Sequence, residues 1–201
     1  PYLSGKMEEF FDGTLLPIVQ TNRGCPFSCT FCVEGVGYYN KVYTNSTAKI
    51  DSEFDLIGKK MQALQQSGGR NDLFVADSNF GMYKQDLDTC QILAETRRKY
   101  GWPEYINVAT GKNKKERGLE AARILGGALR LSGSVQSLDK DVLSNIKRSN
   151  ISADGPMDLA LEASQVGANT YSEIILGLPG DTLEKHFRTV ETVINSGFTN
   201  I

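Results

Sequence analysis

The stretch Leu15–Cys32, "LLPIVQTNRGCPFSCTFC", joins a strand-like apolar run to a loop that holds three of the chain's four cysteines. "LLPIVQ" reads as a strand over Leu15–Gln20, and Cys25, Cys29 and Cys32 follow at the spacing Cys-x-x-x-Cys-x-x-Cys. Strand-like runs then alternate with helical periodicity along the chain. Phe54, Ile57, Met61 and Leu64 mark a helix capped by Asp51 or Ser52 and ended by Ser67-Gly68-Gly69. "DLFVAD" (Asp72–Asp77) is a second strand. Leu87, Cys90, Leu93 and Ala94 stripe a second helix that breaks near Gly101 and Pro103. "INVAT" (Ile106–Thr110) precedes a helix over Lys114–Leu125, and "ALRLSGSV" (Ala128–Val135) precedes short helices over Asp139–Ile146 and Ala153–Val166. "TYSEIILGL" (Thr170–Leu178) is a fifth strand. Asp181 with Glu184 forms a capping-box pattern before a helix striped by Leu183, Phe187, Val190 and Ile194. "FTNI" opens a sixth strand, where the chain stops.

Successive β-α units without hairpins imply a parallel sheet with right-handed crossovers. An open doubly wound sheet and a barrel both satisfy that pattern. The fourth strand favours the barrel. Leu129, Leu131, Gly133 and Val135 share one face, and Arg130, Ser132, Ser134 and Gln136 share the other, which would be costly to bury beneath a second helix layer. The expected fold is therefore a partial (β/α)6-type barrel with parallel strands, truncated in the sixth strand. In it Arg130 is expected to meet Glu173 across a polar lumen.

The length of 201 residues suits one domain with a real core. A formal net charge of −2 and the lack of a Lys/Arg block argue against nucleic acid or an anionic membrane as the main partner. No apolar run approaches the roughly 18 residues of a membrane span. The opening "PYLSGKMEEFFDG" carries charge where a secretory signal would be apolar, and it lacks an initiator Met, so a start in mid-protein or after processing is expected, in a reducing cytoplasm. A disulfide framework does not suit so long an α/β chain.

Several chemistries use clustered cysteines. Structural zinc needs four ligands, and the only other candidates are Cys90, on an apolar helix stripe, and the sole His, His186. Ferredoxin clusters use four thiolates at other spacings. A redox pair at Cys29 and Cys32 leaves Cys25 unexplained. Three thiolates on a [4Fe–4S] cluster fit the count and leave one iron open to a small chelating molecule. The loop follows the first strand, so in an α/β barrel it lies at the catalytic C-terminal face.

"RGCPFSCTFC" resembles the signature of the radical S-adenosylmethionine (SAM) superfamily, Cys-x-x-x-Cys-x-aromatic-Cys, with Phe31 as the aromatic. "FVADSNFGM", "SGSVQSLDKDVLSNIKRSN" and "IILGLPGDTLE" resemble the family's second-, fourth- and fifth-strand segments, so the likeness spans essentially the whole chain. "FFDGTLLPIVQTNRGCPFSCTFC" is most similar in style to the cobalamin-binding subgroup. The resemblance implies that residues 1–201 form a radical SAM core domain, incomplete at its C-terminus and lacking an N-terminal corrinoid domain.

It further implies that Cys25, Cys29 and Cys32 hold a [4Fe–4S] cluster whose free iron binds SAM. Reductive cleavage then gives methionine and a 5′-deoxyadenosyl radical that takes hydrogen from a substrate, with cobalamin-dependent methylation or rearrangement as outcomes in the full-length protein. The backbone near Phe31 and Val33 is expected against adenine. Asp77, Ser78 and Asn79 stand where the family holds the methionine amino group, although the usual Gly-Gly-Glu is absent. Thr110, Ser134 and Gln136 are expected near ribose or methionine, Arg148 at the methionine carboxylate, and Glu173 inward. Tyr38, Tyr39 and Tyr43 are expected to pack over the cluster region. A reductase such as flavodoxin or ferredoxin and a small-molecule or peptide substrate would be the partners. The rival readings are an iron–sulfur or electron-transfer module and a non-catalytic fragment of such an enzyme.

Overall fold

The computed structural model describes residues 1–111, 113–149 and 155–201. Its elements in chain order are β1 (Ile18–Val19), β2 (Asn22–Arg23), β3 (Tyr43–Thr44), α1 (Thr47–Gln65), β4 (Asp72–Phe80), α2 (Gln85–Tyr100), β5 (Tyr105–Thr110), α3 (Lys115–Leu125), β6 (Leu131–Ser132), α4 (Lys140–Asn145), α5 (Gly155–Gln165), β7 (Thr170–Tyr171) and α6 (Leu183–Asn195). Short 3-10 turns at Val33–Gly35 and Gly37–Tyr39 shape the cysteine loop.

β1, β4 and β5 form a parallel sheet in that order. A parallel bridge from Ile106 to Leu129 leads on towards β6, which pairs in parallel with β7, and a further bridge joins Tyr171 to Asn200. The parallel strands thus lie side by side in chain order, and the bridge at Asn200 places the start of the sixth strand where "FTNI" suggested. Closure into a barrel is absent among the described residues. At the outer edge of β1 the Tyr2 hydroxyl donates to the Ile18 carbonyl (2.9 Å) and accepts from the Ile18 N–H (3.0 Å), taking the two groups that a closing strand would use.

Burial alternates along the strands as a one-sided helix layer requires. Leu73 and Val75 are fully buried while Phe74 between them is 38% exposed; Ile106 and Val108 are buried, and Asn107 is only partly so. The core joins these residues to Phe54, Ile57 and Met61 of α1, Leu93 of α2, Leu125 of α3, and Trp102. Each such side chain contributes roughly 1.5–3 kcal/mol on burial.

Three local expectations change. Ser46, whose side chain accepts from the Lys49 N–H, caps α1 in place of Asp51 or Ser52, which lie inside the helix. Thr182, accepting from the Lys185 N–H, caps α6 in place of Asp181. The stripe expected to bury α6 is largely outward: Leu183, Phe187 and Ile194 are exposed, and Thr189 and Val193 are the buried residues. The first residues of the helix expected from Ala153 lie outside the described residues.

Candidate functional site

A parallel sheet delivers every strand's C-terminal end to one side. There the loops enclose a cavity of about 240 Å³, lined by Cys25, Cys29 and Cys32 together with Phe31, Ser78, Asn79, Thr110, Ser134, Gln136, Arg148 and Glu173. A larger hollow of about 630 Å³ lies along the edge of β1, with none of the cysteines in its wall. Sequence reasoning missed Phe27, Glu34, Ser132 and Tyr171, which also line the smaller cavity. Ser132 had a usable signal, since it shares the polar parity of the fourth strand with Ser134 and Gln136.

Val33, expected to offer only its backbone, is 75% exposed and does not line the cavity. One expected site residue faces elsewhere. Asp77 is buried on the helix side of β4, sharing the parity of Leu73 and Val75. Its carboxylate accepts the main-chain N–H of Thr21 (2.8 Å) and Asn22 (3.1 Å), the Thr21 hydroxyl and the Asn22 side-chain amide (3.2 Å). Asp77 therefore ties down the segment leading into the cysteine loop. The register shift between Val75 and Phe80 breaks the alternation, so Ser78 and Asn79 both reach the cavity. Burial raises the Asp77 pKa against these hydrogen bonds.

The loop itself is held at several points. Cys25 N–H donates to the Tyr39 carbonyl (2.9 Å), Thr30 N–H to the Ile146 carbonyl (3.0 Å), and Cys32 N–H to the Cys29 carbonyl (3.2 Å). β2 and β3 form a short antiparallel ribbon around it. Gly24 sits at φ +107°, and a Cβ there would lie 2.4 Å from the Lys41 carbonyl oxygen, so only glycine permits this approach. Tyr38 and Tyr43 do not pack over the cysteines. Tyr38 is 83% exposed, and Tyr43 lies beneath Arg23 and Lys41 on the surface.

The cavity's polar groups are largely pre-arranged. The Ser134 hydroxyl donates to Glu173 (2.8 Å) and meets the Ser132 hydroxyl at 2.6 Å. Thr110 Oγ1 accepts the Ser132 N–H (2.6 Å), which fastens β6 beside β5. Arg148 donates to the Ser134 carbonyl, and its guanidinium stands 5.8 Å from the Phe31 ring centroid. Burial lowers its pKa, opposed chiefly by Cys29 and also by Glu173 and Cys32. Arg130 does not pair with Glu173: the register sets Leu131 beside Thr170, so Arg130 lies over the Tyr171 ring (5.4 Å) and Glu173 falls further along the chain. Asn79 donates from Nδ2 to the Cys25 sulfur (3.3 Å).

Two features bear on whether a cluster and a ligand fit. No three His, Cys, Asp or Glu side chains among the described residues are gathered around a single-ion site. The three thiols instead line one wall of a cavity, an arrangement suited to a polynuclear cluster in which each thiolate meets a different iron. Gln136 Oε1 is buried, without a hydrogen-bond partner, and belongs to the same cavity, with its residue held at φ +64°. A buried orphan acceptor and a non-glycine residue at positive φ mark a place built for a donor-bearing ligand. Cys90, fully buried with its thiol pKa pushed up by burial, plays no part in the site.

The chain is 32% identical over 181 residues to the cobalamin-dependent radical SAM methyltransferase TokK of Streptomyces tokunonensis, covering 89% of this chain and 25% of that protein. It is 33% identical over 188 residues to a 2-(S-pantetheinyl)-carbapenam-3-carboxylate methyltransferase of Streptantibioticus cattleyicolor, covering 89% of this chain and 26% of the other. It thus spans about a quarter of these relatives' length. In fold it matches the radical SAM methyltransferase TsrM of Kitasatospora setae, solved with cobalamin and a [4Fe–4S] cluster, at TM-score 0.70 and 17% identity over 92% of this chain and 33% of that one. The model of the Radical SAM superfamily matches residues 19–193, with the three cysteines near the start of the match, and by that match the chain belongs to the radical SAM superfamily, whose cofactors are a [4Fe–4S] cluster and SAM.

Proposed function

We propose that this chain is the radical SAM core of a cobalamin-dependent methyltransferase acting on a small molecule, with cobalamin held by a further, N-terminal corrinoid domain. The carrying observation is that three thiols and the orphan acceptor of Gln136 share one cavity. The relatives named as methyltransferases support methylation over rearrangement. Cys25, Cys29 and Cys32 would hold the cluster by three thiolates, leaving it one coordination position for SAM. When bound, these groups and cobalamin supply reductive carbon–sulfur cleavage and methyl transfer, driven by electrons from a reductase such as flavodoxin or ferredoxin.

The chain's own residues bind, orient and shield. Arg148 stays cationic despite its burial and offers a guanidinium to the methionine carboxylate. Glu173, oriented by Ser134, and Gln136 Oε1 accept hydroxyl or amine protons. The Asn79 side-chain oxygen, on a residue that lines the cavity beside Ser78, is an acceptor for the methionine amino group. Thr110 shapes the ribose side of the cavity, and Phe31 lies against the adenine.

The test is anaerobic reconstitution followed by SAM and dithionite. The reduced cluster's electron paramagnetic resonance should change on SAM addition, and 5′-deoxyadenosine or S-adenosylhomocysteine should form. An unchanged spectrum and neither product would sink the reading. Cys32→Ala should lose the four-iron cluster, and a normal iron count in that variant would refute the ligand assignment.

A further inference from the structure

Cys25 differs from the other two cysteines in what surrounds its sulfur. Asn79, only 8% exposed, points its amide Nδ2–H at the sulfur from 3.3 Å.

The donor is rigidly mounted. Met82 N–H bonds the Asn79 carbonyl (3.1 Å) to close a tight turn, with Gly81 at φ +82°. The next residue's main chain, Tyr83 N–H, bonds Asp86 (2.9 Å), and Asp86 accepts from Asn22 (2.7 Å), whose backbone leads into Cys25. The donor and the thiolate are thus referenced to the same frame.

We propose that Asn79 tunes the cluster through Cys25. Its side-chain amide donates to the thiolate and raises the cluster's reduction potential. The physical reason is charge. A reduced cluster places more negative charge on its sulfurs than an oxidised one, so a fixed donor stabilises the reduced state more. Asn79 can do this while its oxygen faces SAM, because the amide's two ends are separate. It acts through Cys25 and is a positioning residue.

This inference rests on Cys25 being a cluster ligand, and its test separates the two. The full-length protein is reconstituted without SAM, and the midpoint potential is read by redox titration under electron paramagnetic resonance. Asn79→Ala and Asn79→Leu, the latter of similar shape but without the donor, should keep four irons and titrate at more negative potential. Wild-type potential in either loaded variant would overturn the proposal. Failure of both variants to assemble a cluster would make Asn79 an assembly residue and overturn it as well. A Cys25→Ala protein that still gives the wild-type cluster would refute the ligand assignment, and the proposal with it.

Discussion

At the scale of single residues, the most telling group is a carboxylate outside the cavity. Asp77 takes a main-chain and a side-chain donor from each of Thr21 and Asn22, both nearly fully buried. Asp77→Ala leaves those donors without acceptors, which costs roughly 1–3 kcal/mol for each buried group. The variant should lose roughly 3 kcal/mol or more in urea unfolding, and a loss below about 1 kcal/mol would contradict the anchoring role. The sequence carried the signal for this placement, because Asp77 shares the parity of Leu73 and Val75; motif position pointed the other way. Asp86 extends the network, with no exposed surface and its pKa pushed up to about 6 by burial. Unfolded aspartate titrates near about 3.9. Between about pH 4 and 6 the folded protein therefore binds more protons than the unfolded chain, and stability falls as pH rises through that window, by up to roughly 3 kcal/mol. Asp12, Asp55 and Asp139, whose pKa values are lowered by hydrogen bonds, act oppositely at lower pH, where protonation removes their contribution. Urea midpoints of wild type and Asp86→Asn compared across pH isolate the Asp86 slope, which should vanish in the variant.

At the scale of elements, the cysteine loop depends on a ribbon that local sequence does not announce. β2 and β3 are two residues each and join positions about twenty residues apart. No periodicity develops over so short a strand, whereas α1 and α2 run for 19 and 16 residues and declare themselves through their stripes. The caps were less legible for a related reason. Ser46, Asp51 and Ser52 are all acceptable capping types, and the choice among them is made by where β3 ends rather than by chemistry. Gly24 sits where the Lys41 carbonyl leaves no room for a Cβ. Gly24→Ala forces a Cβ against that oxygen at a φ that alanine rarely adopts. The variant should retain its helical circular dichroism, because α1–α3 pack elsewhere, yet bind markedly less iron on reconstitution. Full iron loading would show that the ribbon does not position the thiols.

At the scale of the whole molecule, parallel order alone collects the site. Each strand exits on the same side, so residues far apart in sequence, from Cys25 to Glu173, meet around one cavity. Sequence alternation revealed this arrangement well, and it also separated the polar face of the fourth strand from its apolar one. Closure was not legible, since it depends on what occupies the edge of β1, and Tyr2 does so from outside any strand pattern. A ligand bridging the cysteine loop and the ends of β4, β5, β6 and β7 binds only when all of them are assembled, so its binding free energy adds to global stability. With SAM at a hundredfold excess over its Kd, the cluster-loaded protein should gain about 2.7 kcal/mol. For a unit of this size that corresponds to a Tm increase of roughly 5–10 °C. Anaerobic calorimetry should show this increase with the cluster present and a smaller one in Cys32→Ala, where the cavity keeps Gln136, Arg148 and Glu173 but loses its iron. Equal shifts in the two proteins would mean that SAM is held by the polar wall alone, and an unchanged Tm in the loaded protein would mean that the cavity does not take SAM.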